Sequence, residues 1–258
     1  MCEDTYFISE DFVAVIDGVT SKSDFTYDGK TTGKLASEII KEVLEKADKN
    51  VYVNELIKII NHEFFKFYNT VEFPYSKTEK GLQAVCAIYS EFYHEIWLIG
   101  DCQVVVDGKI YMNPKKSDVI LAEFRSLVLK TLKKSAGGKT GKGQIEAAQI
   151  AREVIEPWIL KSTLFANNPD SDYGYAIVNG RNIPKSLIKV IKLSEDTHEI
   201  IITSDGYPEI KEDLKSTEEY LNKILIEDKD CETLYLSTKG LVEGQRSFDD
   251  RTYIRFLI

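Results

Sequence analysis

The chain has few of the residues that build soft-metal or thiol chemistry. Its three histidines, His62, His94 and His198, stand in unrelated contexts, and Cys2, Cys86, Cys102 and Cys231 form no C-x-x-C pair. Such spacings exclude a zinc cage or a disulfide framework as the organising principle, and Cys86 and Cys102, inside apolar runs, read as small buried hydrophobes. No apolar run approaches the roughly 20 residues of a membrane span. The start, Met1-Cys2-Glu3-Asp4, is neither basic nor followed by an apolar signal core, so a cytoplasmic location without a membrane partner is expected. Positive charge is also short: 33 Lys and Arg face 42 Asp and Glu, a formal charge of −9. That balance opposes a nucleic-acid partner, because the long-range field repels phosphate backbones. Gly138-Lys139-Thr140 and Gly29-Lys30-Thr31 lack the G-x-x-x-x-G-K-[ST] spacing of a nucleotide loop. No fixed-period repeat points to a solenoid.

What is present suits a folded α+β protein. The 258 residues are 43% hydrophobic and 29% charged, enough for a substantial core. Phe12–Ile16 reads as a buried strand with a turn at Asp17-Gly18, and Thr32 onward as a helix carrying Leu35, Ala36, Ile40, Val43 and Leu44. A second helix is expected from Asn54, taken as its N-cap. Gln83–Tyr89 and Glu95–Ile99 predict an antiparallel hairpin, followed by a strand at Gln103–Val106 and a turn at Asp107-Gly108. Further strands are expected at Gly174–Val178, Leu187–Ile191, Glu199–Thr203 and Tyr253–Ile258, and two helices between Thr217 and Leu236. Val119–Leu132 and Ile145–Leu160 carry helical stripes joined by a glycine- and lysine-rich linker. Trp97, Trp158 and the run Phe64, Phe65, Phe67 and Tyr68 read as packing residues.

One local design recurs. A buried strand ends beside an aspartate, with glycine next to it, at Ile16-Asp17-Gly18, Ile99-Gly100-Asp101 and Thr203-Ser204-Asp205-Gly206; Asp249-Asp250 instead precedes the last strand. Each Asp-Gly alone is a common turn. Together, strand ends can gather carboxylates from distant positions on a rigid frame. Gathered carboxylates repel unless a cation lies between them. Oxygen donors without His or Cys favour Mg²⁺ or Mn²⁺.

Cys2-Glu3-Asp4-Thr5-Tyr6, Val13–Val19, Leu98–Cys102, Ile202–Gly206 and Asp249-Asp250-Arg251-Thr252 resemble, in order and along the whole chain, the motifs of metal-dependent type 2C protein phosphatases. The resemblance implies a four-layer αββα sandwich of two mainly antiparallel sheets flanked by helices. It implies one domain over residues 1–258, with a helical flap-like insertion at about 113–172. It places two Mg²⁺ or Mn²⁺ ions, with a third and weaker one, at one edge. Asp17 would bridge two metals, the Gly18 carbonyl would bind one, and Asp205 and Asp249 would complete the other. Glu3 and Asp4 would act through coordinated waters, Asp101 would hold the third metal with Asp205, and Glu209 stands near that third site. Asp17, Asp205 and Asp249 are thus the implied catalytic set. A water between two such cations is acidified, so the implied reaction is hydrolysis of a phosphomonoester on a phosphorylated protein or a small phosphorylated molecule.

The chain departs from the family pattern in three places. No arginine precedes Glu3-Asp4, threonine (Thr20) takes the place of the histidine that often follows the bridging aspartate, and Asp250 replaces the asparagine of the last motif. Lys22, Lys139 or Lys142 are candidates for the missing positive charge. A non-catalytic binding module on the same fold and a phosphatase of a small metabolite are the alternatives. Oligomeric state is left open.

Overall fold

The computed structural model describes residues 1–135, 142–242 and 244–258, and no side chain within 142–144. Most of the glycine-rich linker, with Lys139 and the side chain of Lys142, lies outside the described residues. Along the chain the elements are β1 (Thr5–Ile8), β2 (Phe12–Gly18), α1 (Thr32–Lys46), α2 (Val53–Thr70), α3 (Lys77–Lys80), β3 (Ala84–Ser90), β4 (Glu95–Ile99), β5 (Gln103–Val106) and β6 (Lys109–Tyr111). They continue with α4 (Lys116–Ser135), α5 (Lys142–Lys161), β7 (Lys189–Lys192), β8 (Glu199–Thr203), α6 (Leu214–Glu227) and β9 (Tyr253–Leu257). The chain divides into two compact units, one of residues 1–114, 165–206 and 250–258, the other of residues 115–164 and 207–249.

The first unit holds both sheets. One runs β1-β2-β3-β4-β7 and the other β6-β5-β8-β9, and every pairing is antiparallel. Strand alternation explains why β2, β3 and β4 read as unbroken apolar runs. Phe12, Ala14 and Ile16, with Cys86, Ile88, Trp97 and Ile99, pack beneath Ile40, Leu44, Leu56, Ile60 and Phe64 of α1 and α2. Val13, Val15, Val85, Ala87, Ile96 and Leu98 face the other way, onto Val104, Ile200 and Ile202 of the second sheet. Both faces of these strands are covered, so neither keeps a polar stripe. The α+β sandwich of two antiparallel sheets with flanking helices is therefore the architecture.

Several local readings are corrected, each for a visible reason. β2 runs through Asp17 and Gly18, because β3 supplies ladder partners Val85 and Ala84 opposite them. α2 starts at Val53 behind Tyr52, since burial of Val53 sets its entry ahead of Asn54. Residues 174–178 make single bridges instead of a strand. There the Asn167 amide both donates to the Ile177 carbonyl and accepts from its N–H, each at 2.9 Å, replacing a neighbouring strand. β7 begins two residues late, after a 3₁₀ turn at 185–187 that follows Pro184. β1, a four-residue edge strand with alternate residues exposed, is added to the strands read from the sequence. Trp97 is fully buried as read, whereas Trp158 is 61% exposed.

The second unit contains α4, α5 and α6. Leu129 of α4 packs with Ala147 and Ala151 of α5, and Arg125, 1% exposed, donates to the Asp230 carbonyl at 2.8 Å and the Ser237 carbonyl at 3.3 Å. Only one helix occupies the stretch read as two. After α6 the Asp228 carboxylate accepts from the backbone N–H groups of Glu232, Thr233, Leu234 and Tyr235 at 2.7 to 3.2 Å, holding 228–235 as a loop.

Burial pushes the Asp228 carboxyl up, but those four N–H groups outweigh it and hold it below its ordinary value. A depressed carboxylate stabilises the fold above its unfolded pKa of roughly 3.9, and the contribution is lost as pH falls through the folded value. Asp228→Ala should therefore cost about 2 kcal/mol at neutral pH, with the gap from wild type closing below about pH 4. Urea denaturation of both proteins at neutral and acid pH checks this; a gap that is constant with pH would refute it.

Candidate metal centre

The acidic residues gather where strands of the two sheets end. Asp17 has the strand parity of Val13 and Val15, which places it on the face turned to the second sheet. Gly18 beside it could carry no side chain, because a Cβ would lie 2.3 Å from the Gly33 carbonyl oxygen. Asp101 follows β4 and Asp205 follows β8. The negative charges of Asp17, Asp101 and Asp205 all act on the Cys102 thiol, which burial first and then these three aspartates, with Cys86, push well above its ordinary pKa. Three carboxylates from distant positions thus act on one buried sulfur.

Glu3 and Asp4 are drawn into the same edge by named partners. Both are nearly buried, at 7% and 5% exposure. The Asp4 carboxylate accepts from the Ser204 hydroxyl at 2.7 Å and the Thr252 hydroxyl at 2.9 Å, and the Thr252 N–H donates to Ser204 Oγ at 2.9 Å. One side chain therefore joins the first strand's approach to the end of β8 and the start of β9. Glu3 Oε1 accepts from the Thr31 hydroxyl at 2.5 Å and the Ser21 N–H at 3.2 Å. Its backbone N–H donates to the Asp250 carboxylate at 2.7 Å.

Burial pushes the Glu3 carboxyl above its usual range; the Thr31 and Ser21 hydrogen bonds pull it down, Asp250 raises it and Lys22 lowers it. Lys22, a candidate for the missing positive charge, thus sits within electrostatic reach of Glu3. Burial is the first cause of both shifts and neighbouring carboxylates add to it, an added repulsion that a cation would relieve. The donors are all oxygens, a set that suits Mg²⁺ or Mn²⁺. Among the described residues, no three His, Cys, Asp or Glu side chains close into a metal cage.

Two expected site residues belong to the second unit. Asp249 pairs with Lys239 at 2.5 Å, and its charge also acts on Arg152. Glu209 pairs with Lys211 at 2.6 Å. Asp250, noted in the sequence only as a replacement for asparagine, is the member of the Asp249-Asp250 pair that meets the N-terminal segment. Gly206 locks that contact, since a Cβ there would lie 1.9 Å from the Asp250 carbonyl oxygen. Ser21, Thr31, Ser204 and Thr252 escaped the sequence reading because isolated hydroxyl residues carry no periodic signal. Ser204 and Thr252 do, however, lie one and three residues from the expected ligands Asp205 and Asp249.

No protein-family profile matches the sequence, and no curated protein is similar to it. Among solved structures, a bacterial serine phosphatase aligns over 100% of this chain and 92% of its own length, at 15% identity and a TM-score of 0.49. The serine/threonine phosphatase Stp1 from Staphylococcus aureus aligns over 100% and 89%, at 14% identity and 0.49. The catalytic domain of the serine/threonine protein phosphatase PstP in complex with two manganese ions aligns over 84% and 77%, at 14% identity and 0.45.

The Asp4 network predicts a structural effect separable from any metal. With EDTA present, Asp4→Ala should destabilise the protein by about 3 kcal/mol, because two inward hydroxyls lose a charged acceptor. Thr252→Val should cost about 1 kcal/mol. Urea denaturation followed by fluorescence of buried Trp97 reads both, and equal stability of Asp4→Ala and wild type would refute the clamp.

Proposed function

We propose that the chain is a divergent metal-dependent phosphatase of the type 2C kind, hydrolysing phosphomonoesters, foremost phosphoserine and phosphothreonine on proteins, in the cytoplasm. The observation that supports the reading is the placing of acidic residues by the strands of the first unit: Asp17 on the face of β2 turned to the second sheet, Asp101 after β4, Asp205 after β8, and Asp4 tied to Ser204 and Thr252. The sequence motifs that resemble the family fall on those same residues.

In this reading Asp17, the Gly18 carbonyl, Asp205, Asp249 and Asp101 hold two Mg²⁺ or Mn²⁺ ions and a weaker third, with Glu3 and Asp4 orienting waters. Asp249 enters on the sequence resemblance alone. The chemistry that such cations supply when bound is a water acidified to near neutrality and charge offset at the phosphate oxygens. Hydrolysis adds water to phosphorus in line and breaks the phosphorus–ester oxygen bond, and the leaving oxygen takes a proton. Asp4 and Glu3, fixed by Ser204, Thr252, Thr31 and Ser21, keep the acidic edge in one geometry. Lys22, which acts on Glu3, offsets phosphate charge in this reading. The helical stretch at about 113–172 is part of the same proposal, as a flap-like element that biases substrate choice.

One observation favours the second reading, a non-catalytic module on this fold: Asp249 is ion-paired with Lys239. Hydrolysis of p-nitrophenyl phosphate with Mn²⁺, Mg²⁺ or EDTA decides between them. Metal-dependent turnover is expected, and Asp17→Asn and Asp205→Asn should each lower it about 100-fold or more, since even outer-sphere partners cost 10–100-fold. Folded protein that turns over neither this ester nor phosphopeptides with any metal points to the module. In the active enzyme, Lys22→Ala should raise KM for a phosphopeptide about tenfold with little change in kcat, the mark of lost ground-state binding. An unchanged KM would remove Lys22 from substrate binding.

A further inference from the structure

Strand β1 ends the first sheet on one side, and the ladder fixes which of its backbone groups face outward. The Ser9 N–H donates to the Phe12 carbonyl at 2.8 Å, so Ser9 and Phe12 form a hydrogen-bonded pair. Antiparallel pairs alternate between bonded and unbonded. Counted back through the register, Phe7–Ala14 and Thr5–Ile16 are bonded, whereas Ile8–Val13 and Tyr6–Val15 are not. The other side of β2 agrees. The Val19 N–H donates to the Gln83 carbonyl and the Glu91 N–H to the Asp11 carbonyl, both at 3.0 Å, which turns the odd residues of β2 to β3 and leaves the even ones for β1. The N–H and C=O groups of Tyr6 and Ile8 therefore point away from β2. So does the Asp4 carbonyl, which accepts from Lys34 Nζ at 2.9 Å. Among the described residues no strand lies beyond β1, and no backbone group outside the sheet bonds Tyr6 or Ile8.

Proteins blunt such edges with proline, a bulge or an inward-pointing charge. β1 reads Thr-Tyr-Phe-Ile in an unbroken register and has none of these. Beside it an open groove of about 490 Å³ separates the strand from the charged side of α1, where Lys34, Glu38, Lys41, Glu42 and Glu45 stand. Tyr6 and Ile8, each 58% exposed, lie on the opposite face, the one they share with Val15 and Val13. The edge thus offers backbone donors and acceptors at every second residue, charges of both signs on one face and apolar side chains on the other. An extended chain whose residues alternate between charged and apolar matches all three, its backbone giving affinity and its side chains selectivity. The Asp4 end of the edge opens on the acidic centre, because the Asp4 carboxylate is the one held by Ser204 and Thr252.

We infer that the outer edge of β1 docks an extended segment of the phosphorylated protein substrate as a sixth strand of the first sheet. The inference rests on the phosphatase reading given above. The segment pairs antiparallel, as every strand of this sheet does and as the more stable ladder requires. β1 runs away from the acidic centre, so an antiparallel segment runs toward it. Its phosphorylated residue then lies C-terminal to the paired stretch, past Asp4. Residues opposite Tyr6 and Ile8 exchange N–H and C=O bonds with them and point their side chains to the same apolar face. The residue between, opposite Phe7, turns its N–H away from the sheet and its side chain toward the charges of α1.

The probe is a synthetic peptide of about ten residues, ~34 Å when extended, with valine alternating with lysine and glutamate and phosphoserine at its C-terminal end. Fluorescence anisotropy of the full chain in EDTA reads docking without turnover, and kcat/KM with Mn²⁺ reads its consequence. Wild type should bind with a Kd below about 1 mM and hydrolyse this peptide about tenfold more efficiently than a short phosphoserine peptide without the valine stretch. Backbone N-methylation of the valines should cost about tenfold in both readouts, while N-methylation of the charged residues should cost little. Ile8→Pro deletes an outward N–H and no ladder bond, a place where edge strands tolerate proline. It should match the valine methylation and leave the circular dichroism and the turnover of p-nitrophenyl phosphate unchanged. Equal effects of the two methylation patterns, or no binding up to about 1 mM, overturn the inference. So does a dimer in sedimentation velocity that Ile8→Pro dissolves, which would give the edge to a second copy. Docking that follows the valine pattern without hydrolysis of any ester sinks the phosphatase reading instead, and turnover indifferent to methylation sinks the docking alone.

Discussion

A carboxylate taken out of water must be met by donors, and Asp4 is met by hydroxyls that belong to opposite parts of the chain. Ser204 comes from the end of β8 and Thr252 from the approach to β9. The acidic edge of the first unit depends on this meeting. Without it, Asp205 would follow a strand whose end is untethered, and Glu3 would lose the neighbour that holds the N-terminal segment in place. The desolvation cost of the charge is offset only while both donors are present, so the interaction acts as a condition on the geometry of the whole edge. Ser37 adds to it by donating to the Glu3 carbonyl at 2.7 Å, which fastens the same segment to α1.

The field at that edge is mainly negative. Burial first, and then Asp17, Asp101 and Asp205, push the Cys102 thiol up, and burial with Asp250 raises the carboxyl of Glu3 against the pull of Lys22. Proteins tolerate such concentration of like charge where something positive is to be received. Lys22 acts on Glu3, while in the second unit Lys133 pairs with Asp230 and Glu232, Lys239 with Asp249 and Lys211 with Glu209.

Much of this was legible from residue order alone, for identifiable reasons. Strands β2, β3 and β4 are apolar on both faces, and such runs announce themselves. The glycines beside Asp17 and Asp205 mark places where backbone approaches backbone too closely for a side chain. Other features depend on single side chains that no pattern reports. Asn167 substitutes for a strand with its own amide, and Asp228 replaces a helix with a carboxylate that gathers four N–H groups. Trp158 reads as core because it stands seven residues, two helical turns, after Ala151, which is buried, and period alone does not show where along a helix its cover ends. The pairing of Asp249 with Lys239 lies beyond sequence reasoning altogether, since nine residues separate them and no motif links the two.

The hydrogen bond between Thr252 and Asp4 spans 248 residues, and it has a consequence for the order of events during folding. β8 stands inside its sheet between β5 and β9, so until β9 docks β8 presents an open edge and the Asp4 carboxylate lacks Thr252. Helices α1 and α2 meet β2, β3 and β4 through residues that all lie before Gly100, so that part of the core needs no such distant partner. The core of the first sheet and the acidic edge beside it can therefore form as separate events, the edge waiting on a contact of far longer range.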